Sequence, residues 1–228
     1  MGLCFRPNTW DQAIWESVSL RNEYQLPDSL VGRSVVDIGA HIGSFAAACL
    51  RRHAAKIYCY EANWDNVKCM VHNLHSALEA WQTVEIHHLA VWRANENPGY
   101  MRLVEPAGVD CNTGGRFVTT DNLGMETVGV VGIDEVLQRT ATRSSTNGCP
   151  NRVGLLKMDC EGAEWDLLRT SQCLDLVDEV VGEYHLVPRQ EEERGSVENL
   201  MTYLHRAGFQ TRTKLSSTYL GLFWAWRG

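Results

Sequence analysis

The stretch SVVDIGAHIGS, residues 34–44, decides the fold. It begins with an apolar, β-branched run that is typical of a buried strand. The glycines Gly39 and Gly43 then permit a tight turn, and a helix follows near Ser44. A strand, a glycine turn and a helix in this order open a βαβ unit, so the stretch predicts an α/β protein with parallel strands.

Strand and helix patterns continue to alternate outward from this stretch. Further strands are predicted at 56–60, 84–91, 153–159 and 179–185, with helical apolar spacing between them. Two closing strands, 209–213 and 219–226, are joined by a short turn, which predicts an antiparallel pair at the sheet edge. The sequence therefore predicts a mostly parallel sheet with helices on both faces.

The length and composition fit one domain. The chain has 228 residues, 44% hydrophobic and 21% charged, enough for a large core without disulfides. We predict a single domain over 1–228, with an N-terminal helical extension at 1–30 and a β-rich insertion at 95–129 near the active-site rim. A short helix is predicted at 133–137, and a mobile loop at 141–151.

Charge and apolar content limit the partners. Lys and Arg number 21 against 28 Asp and Glu, and the formal net charge of −7 offers no attraction to nucleic acid or anionic lipid. No signal sequence is visible at the start, and no stretch approaches the roughly 20 apolar residues of a membrane span. The 8 cysteines contain no C-x-x-C pair and indicate mostly reduced thiols. We expect a cytoplasmic protein with no nucleic-acid and no membrane partner.

Acidic and imidazole groups stand at the ends of several predicted strands. In open α/β sheets, ligands bind beyond the carboxyl ends of the strands. The groups at these ends are Asp37, Glu61, Asp159, Glu161, Glu183 and His185. We expect them to converge on one rim of the sheet.

The glycine turn and Glu61 suit two kinds of cofactor, a dinucleotide such as NAD and S-adenosylmethionine. Glu61 follows Gly43 by 18 residues, at a strand end where a carboxylate accepts hydrogen bonds from a ribose diol. A dinucleotide site needs G-x-G-x-x-G, but its second and third glycine positions here are His41 and Ser44. The acidic rim also favours the cationic S-adenosylmethionine over a pyrophosphate. A nucleotide-dependent oxidoreductase and a glycine turn without any ligand stay open as alternatives.

Four motifs make the chain resemble the FkbM family of S-adenosylmethionine-dependent methyltransferases. They are VVDIGAHIGSF (35–45), YEAN (60–63), NTGG (112–115) and the most specific one, LKMDCEGAE (156–164). The resemblance covers roughly 31–185. It departs from the family pattern at His41, where Asn is common, and at EANW (61–64), where Glu-Pro-x-Pro is common. It implies a class I methyltransferase fold, which is Rossmann-like and seven-stranded, and usually O-methylation of a sugar, polyketide or other secondary-metabolite hydroxyl.

The resemblance also implies cofactor-binding residues. It places the methionine half of the cofactor near the glycine turn, the ribose at Glu61 and the amino group near Asp159. The full set of implied cofactor-binding residues is Asp37, Gly39, Ala40, His41, Gly43, Ser44, Glu61, Ala62, Asn63 and Asp159.

Methyl transfer to a hydroxyl is helped by a base, and the acceptor must lie about 3 Å from the methyl carbon in a water-poor site. His185 is the first candidate base because its unperturbed pKa is near 6.5, and Glu183 and Glu161 are the alternatives. Lys157, in an apolar strand, is expected to pair with a carboxylate such as Glu164 or Glu183.

We predict O-methylation of a small-molecule or natural-product acceptor. N-methylation of a peptide or amide, and a catalytically silent cofactor-binding protein, are the alternatives. A Mg²⁺ ion held by Asp159, Glu161, Glu183 and His185 is left open, as is a homodimer.

Overall fold

The structure is a computed structural model that describes residues 2–75, 83–104, 117–119, 126–146, 151–186 and 196–228. For 117–119 and 144–146 only the backbone is described. The NTGG motif (112–115) and residues 147–150 of the predicted loop lie outside the described residues.

The described strands fall into two sheets. In chain order they are β1 (Ser34–Ile38), β2 (Lys56–Glu61), β3 (Val84–His88), β4 (Ala90–Trp92), β5 (Tyr100–Val104), β6 (Phe117–Thr119), β7 (Glu126–Gly132), β8 (Leu155–Met158), β9 (Glu179–His185), β10 (Gln210–Ser217) and β11 (Leu220–Trp226). The main sheet has seven strands in the order β10-β11-β9-β8-β1-β2-β3. Its strands are parallel from β9 to β3, and β11 runs antiparallel to both β9 and β10.

Helices cover both faces of the main sheet. They are α1 (Asp11–Trp15), α2 (Ser44–Arg51), α3 (Trp64–Asn73), α4 (Ile133–Thr146), α5 (Glu164–Thr170) and α6 (Val197–Arg206), with a π-helical turn at Glu16–Leu20 and a 3₁₀ turn at Leu174–Leu176. Successive side chains of β1 point to opposite faces of the sheet and so pack in two separate cores. Val35 packs in one core with Phe45 of α2, and Val36 packs in the other with Leu137 of α4. This architecture confirms the predicted fold class, including the antiparallel C-terminal pair.

The second sheet has the order β4-β7-β5-β6. Of the predicted insertion at 95–129, the structure describes β5, β6 and the start of β7. The prediction of a single strand at 84–91 is wrong, because the strand ends before Leu89 and a second strand begins after it. β3 pairs with β2 in the main sheet, whereas β4 pairs with β7 in the second sheet.

Helix α4 is longer than predicted and replaces half of the predicted loop. Its buried residues follow helical spacing and are Ile133, Val136, Leu137, Thr140 and Ala141. Burial of this face holds the Thr- and Ser-containing end of the segment in a helix despite its weak intrinsic propensity. Within the described ranges, no helix is long and apolar enough to span a bilayer.

Candidate active site

The candidate site lies where the strand order of the main sheet reverses. β1 continues through β2 to β3 on one side, and β8 and β9 lie on its other side. Ligands of doubly wound sheets bind at this switch point, beyond the carboxyl ends of the strands. The structure brings the ends of β1, β2, β8 and β9 to one rim, with the predicted polar groups on them.

The turn after β1 is tied to both neighbouring strands. Gly39 has a φ of +73°, and a Cβ atom at this position would lie 1.8 Å from the carbonyl oxygen of Asp159. The backbone N–H groups of Gly39 and Ala40 donate to the carbonyl oxygen of Tyr60, at 3.0 and 3.1 Å. Only glycine fits this first position, because it combines a left-handed φ with a backbone contact.

The carboxylate of Glu61 joins this turn to helix α3. It accepts from the backbone N–H of His41 and of Asn63, both at 2.8 Å, and from the side-chain amide of Asn66 at 3.2 Å. Burial raises the pKa of Glu61, and these three hydrogen bonds oppose the rise. A carboxylate has about four acceptor positions, so one remains for a ligand.

The other predicted cofactor residues form the turn and two helix N-termini. Asn63 is the N-cap of α3, and its side chain accepts from the backbone N–H of Asp65 at 2.9 Å. Ala62 packs against the buried cluster of the second sheet. Ser44 opens α2 beside Gly43, and its hydroxyl is buried without a hydrogen-bond partner among the described residues. An unsatisfied buried hydroxyl at a helix N-terminus fits a site that binds a polar ligand.

Asp37 and Lys157 form a buried ion pair between neighbouring strands. They are direct partners in the β1–β8 register, and Lys157 Nζ lies 3.2 Å from Asp37 Oδ1. The ammonium also lies 3.6 Å from Asp159 Oδ2 and donates to the carbonyl oxygen of Gly39 at 2.6 Å. Burial raises the pKa of Asp37, although Lys157 opposes the rise. Asp37 thus forms an ion pair with Lys157, which also contacts Asp159 and the glycine turn, and the assignment of Asp37 to the cofactor stays a prediction.

The prediction that Lys157 pairs with Glu164 or Glu183 is wrong, because its carboxylate partners are Asp37 and Asp159. The reason is register, because β8 lies between β1 and β9 and places Lys157 opposite Asp37 on β1. The sequence does not state which strands are neighbours.

Three carboxylates surround His185. Its Nε2 lies 3.5 Å from Glu161 Oε2 and 4.0 Å from Asp159 Oδ1, and its Nδ1 lies 3.4 Å from Glu164 Oε1. Burial alone would lower the pKa of His185, but Glu164, Glu161 and Asp159 raise it to about 10. The expectation of a near-neutral pKa for this histidine is therefore wrong, and the imidazole is protonated at neutral pH.

Two carboxyl groups near His185 have a raised pKa: Glu161, which contacts the ring, and Glu183, which lies on β9. Burial raises the pKa of Glu161 to about 7, against the opposing effect of His185. Burial and the charge of Asp159 raise the pKa of Glu183 to about 8. Glu161 lies in a left-handed turn, with a φ of +53°, followed by Gly162 at +94°. This turn brings the Glu161 carboxylate to the His185 ring.

The same cluster has the dimensions of a cation site. One donor atom from each of Asp159, Glu161 and His185 lies within 4.8 Å of the others. A divalent cation could therefore contact all three, and the Mg²⁺ ion that the sequence analysis left open is not tested by this geometry.

Two contacts of the site could not be predicted from the sequence. The Tyr24 hydroxyl, on a buried side chain, donates to Asp159 Oδ2 at 3.1 Å. Tyr24 is held there by Trp224, whose indole N–H donates to its carbonyl oxygen at 2.7 Å. Glu164 stands in the most specific motif, yet only the structure shows that it is fully buried against His185.

Comparison with known families agrees with this geometry. The model of the methyltransferase FkbM domain matches residues 37–211, well over half of the chain. The chain belongs to the FkbM methyltransferase family. This FkbM protein is therefore assigned to the methyltransferases that depend on S-adenosylmethionine, as the motifs predicted. No curated protein sequence matches the chain.

A solved structure of an FkbM methyltransferase shares the fold of this chain. The methyltransferase FkbM from Methylobacillus flagellatus KT aligns with a TM-score of 0.54 at 12% identity, over 93% of this chain and 48% of its own. The chain thus spans about half the length of that neighbour. Precorrin-6y C5,15-methyltransferase from Geobacter metallireducens GS-15 aligns at 11% identity with a TM-score of 0.46, over 100% of this chain and 93% of its own.

Proposed function

We propose that this FkbM methyltransferase transfers the methyl group of S-adenosylmethionine to a hydroxyl of a small molecule, such as a sugar or another natural product. One observation carries the proposal. The two carboxylate oxygens of Asp159 face different parts of the site, Oδ2 toward Lys157 and Tyr24 beside the glycine turn, and Oδ1 toward His185. Asp159 therefore connects the cofactor side to a cluster that can accept a proton.

The cofactor side suits a cationic, ribose-bearing ligand. Glu61 keeps an acceptor position for a ribose hydroxyl, and the buried Ser44 hydroxyl has no hydrogen-bond partner in the described part of the chain. The ionised carboxylate of Asp159, whose pKa is lowered, favours the positive charges of the sulfonium and the ammonium groups, and Glu161 adds a negative charge when it is deprotonated. When bound, S-adenosylmethionine supplies an electrophilic methyl group on sulfur.

The acceptor side supplies the proton acceptor. With His185 already protonated, we assign this role to Glu161, whose pKa of about 7 suits general-base chemistry near neutral pH, with Glu183 as the alternative. With S-adenosylmethionine bound, the Glu161 carboxylate would take up the proton of the acceptor hydroxyl as the acceptor oxygen bonds to the methyl carbon, the methyl–sulfur bond breaks and S-adenosylhomocysteine leaves. His185 positions Glu161 through the 3.5 Å contact, and Glu164 fixes the ring from its other side.

The test is methyl transfer from labelled S-adenosylmethionine to a panel of sugars and other alcohols, together with amines and amides of matched shape. We expect the label on hydroxyl oxygens, with release of S-adenosylhomocysteine. Label found only on amines or amides would contradict the hydroxyl assignment and support N-methylation instead.

Chelation tests the alternative of a bound Mg²⁺ ion. Two carboxylates and an imidazole nitrogen are a mixed donor set, whereas Mg²⁺ prefers oxygen donors. If Glu161 accepts the proton without a metal, turnover survives EDTA. Turnover that is lost with EDTA and restored by Mg²⁺ would reassign Asp159, Glu161 and His185 to metal binding.

A further inference from the structure

The first residues of the chain lie across helix α3 and the glycine turn. We call residues 2–11 the N-terminal strap. Asn73, at the end of α3, accepts from the backbone N–H of Cys4 at 2.6 Å and donates to the carbonyl oxygens of Cys4 and Ile42, at 3.3 and 3.1 Å. One side chain thus holds the strap, the helix and the turn together.

A second attachment joins the strap to the turn through polar side chains. Arg6 Nε lies 2.8 Å from Oδ2 of the fully buried Asp11. Asp11 Oδ1 in turn lies 3.5 Å from Nε2 of His41. The backbone N–H of His41 donates to Glu61, so the strap contacts the residue that positions the proposed ribose acceptor.

Two thiols meet where the strap crosses α3. Cys4 Sγ lies 3.2 Å from Cys69 Sγ, within hydrogen-bond distance for sulfur. Cys69 is buried on α3, whereas Cys4 is half-buried on the strap and the more accessible of the two. Both backbones are held in place, Cys4 by Asn73 and Cys69 by its helix. The sulfur atoms are therefore placed for a reaction that needs little movement.

We propose that Cys4 and Cys69 are a redox modification site, at which glutathione disulfide converts the two thiols into an intramolecular disulfide that fastens the strap to α3. This site goes beyond the proposed methyltransferase function, and its chemistry does not depend on that function.

The reaction takes two exchange steps. Cys4 loses its proton and attacks one sulfur of glutathione disulfide; that S–S bond breaks and the first glutathione thiol leaves with the proton. Cys69 then loses its proton and attacks Cys4 Sγ, which forms the new S–S bond and releases the second glutathione thiol. The cysteines are oxidised by two electrons and glutathione disulfide is reduced. Burial and the Cys4 contact raise the pKa of Cys69 to about 12, so accessible Cys4 is the first attacker.

Peptide mapping of the full chain after incubation with glutathione disulfide tests the chemistry. We expect the native protein to lose two hydrogen atoms in intact mass and to yield one linked peptide pair containing Cys4 and Cys69. Cys4→Ser and Cys69→Ser should abolish the link, whereas Cys173→Ser, a half-buried thiol on the opposite face of the sheet, should keep it. A glutathione adduct on Cys4 that never resolves, or a link that forms only in denaturant, would overturn the proposal.

The locking effect of the disulfide has its own readouts. Closing the long loop between Cys4 and Cys69 should raise the thermal midpoint of unfolding by about 5 °C or more, reversibly with dithiothreitol.

The second readout rests on the proposed cofactor site. S-adenosylhomocysteine should dissociate about tenfold more slowly from the oxidised chain, but not from oxidised Cys4→Ser. An unchanged rate in the linked protein would overturn the locking effect. Absence of S-adenosylhomocysteine binding in both redox forms would instead count against the proposed function, and the peptide map would still stand.

Discussion

Asp159 presents its two carboxylate oxygens to different partners, and single residues of this kind determine the chemistry of the site. Lys157 and His185 together lower the pKa of Asp159 despite burial, which would raise it. The sequence placed Asp159, Glu161 and His185 at strand ends correctly. It gave no sign of Tyr24, which is remote in the chain and reaches Asp159 only through tertiary packing. It also assigned His185 an ordinary pKa, because the three carboxylates around the ring are neighbours in space rather than in sequence.

Replacement of Glu61 tests the ribose assignment. In Glu61→Gln, loss of the charge weakens the hydrogen bonds to His41, Asn63 and a ribose hydroxyl, so we expect S-adenosylhomocysteine affinity to fall by about 10- to 100-fold. Calorimetric titration measures this. Glu135→Gln, on the exposed side of α4, is the matched control and should bind normally. Equal affinity in both variants would refute the ribose role of Glu61.

Replacement of Glu161 tests the proton acceptor. Glu161→Gln keeps the size of the side chain and its contact with His185 but cannot take up the proton, so turnover of a hydroxyl acceptor should fall by about 10²- to 10⁴-fold. The S-adenosylhomocysteine affinity should change little, and Glu198→Gln on α6 should behave like the parent chain. If Glu161→Gln turns over normally, the role belongs to Glu183 or no base is needed.

Among the elements, the strands that pair inside the main sheet match their sequence patterns best. β1 and β9 have the predicted bounds, because both have a mostly buried, Val-containing centre and pair with a neighbouring strand on each side. The prediction of one strand at 84–91 failed, since the local sequence does not reveal that β3 and β4 belong to different sheets. The predicted end of α4 failed because buried Thr140 and Ala141 extend the helix against weak local propensity.

Burial of His41 in the glycine turn predicts a pH-dependent stability. Burial lowers the pKa of His41 to about 4; Asp11 and Asp159 oppose this, and Arg6 and Lys157 reinforce it. Between pH 4 and the unfolded pKa of about 6.5, the unfolded chain binds a proton that the folded chain does not. His41 therefore contributes stability that is fully present above this window and is lost as the pH falls through it.

Urea unfolding of His41→Asn at pH 7 and pH 5 tests this, since Asn tolerates the φ of +52° at this position. The parent chain should lose about 2 kcal/mol more than the variant between these two pH values. His72→Asn, whose imidazole is exposed beside Gly2, is the control and should retain the pH dependence of the parent. Parallel losses in parent and His41→Asn would refute the linkage.

At the scale of the whole molecule, the family match assigns a methyltransferase and the doubly wound sheet fits it, whereas the acceptor depends on finer features of the site. The sequence predicted the fold because alternation of buried strands and helices leaves few topologies. It could not predict the acceptor, since recognition depends on side chains that converge from separate loops. The cytoplasmic location, the homodimer and the absence of nucleic-acid and membrane partners stay predictions.

The most direct test of the central claim is calorimetric titration of the purified chain with S-adenosylhomocysteine, with NADH and NADPH titrated in parallel. A site with Glu61 as ribose acceptor and an acidic rim predicts micromolar binding of S-adenosylhomocysteine and no binding of either nicotinamide cofactor. Binding of NADH or NADPH without S-adenosylhomocysteine binding, or no binding of any of the three, would contradict the account.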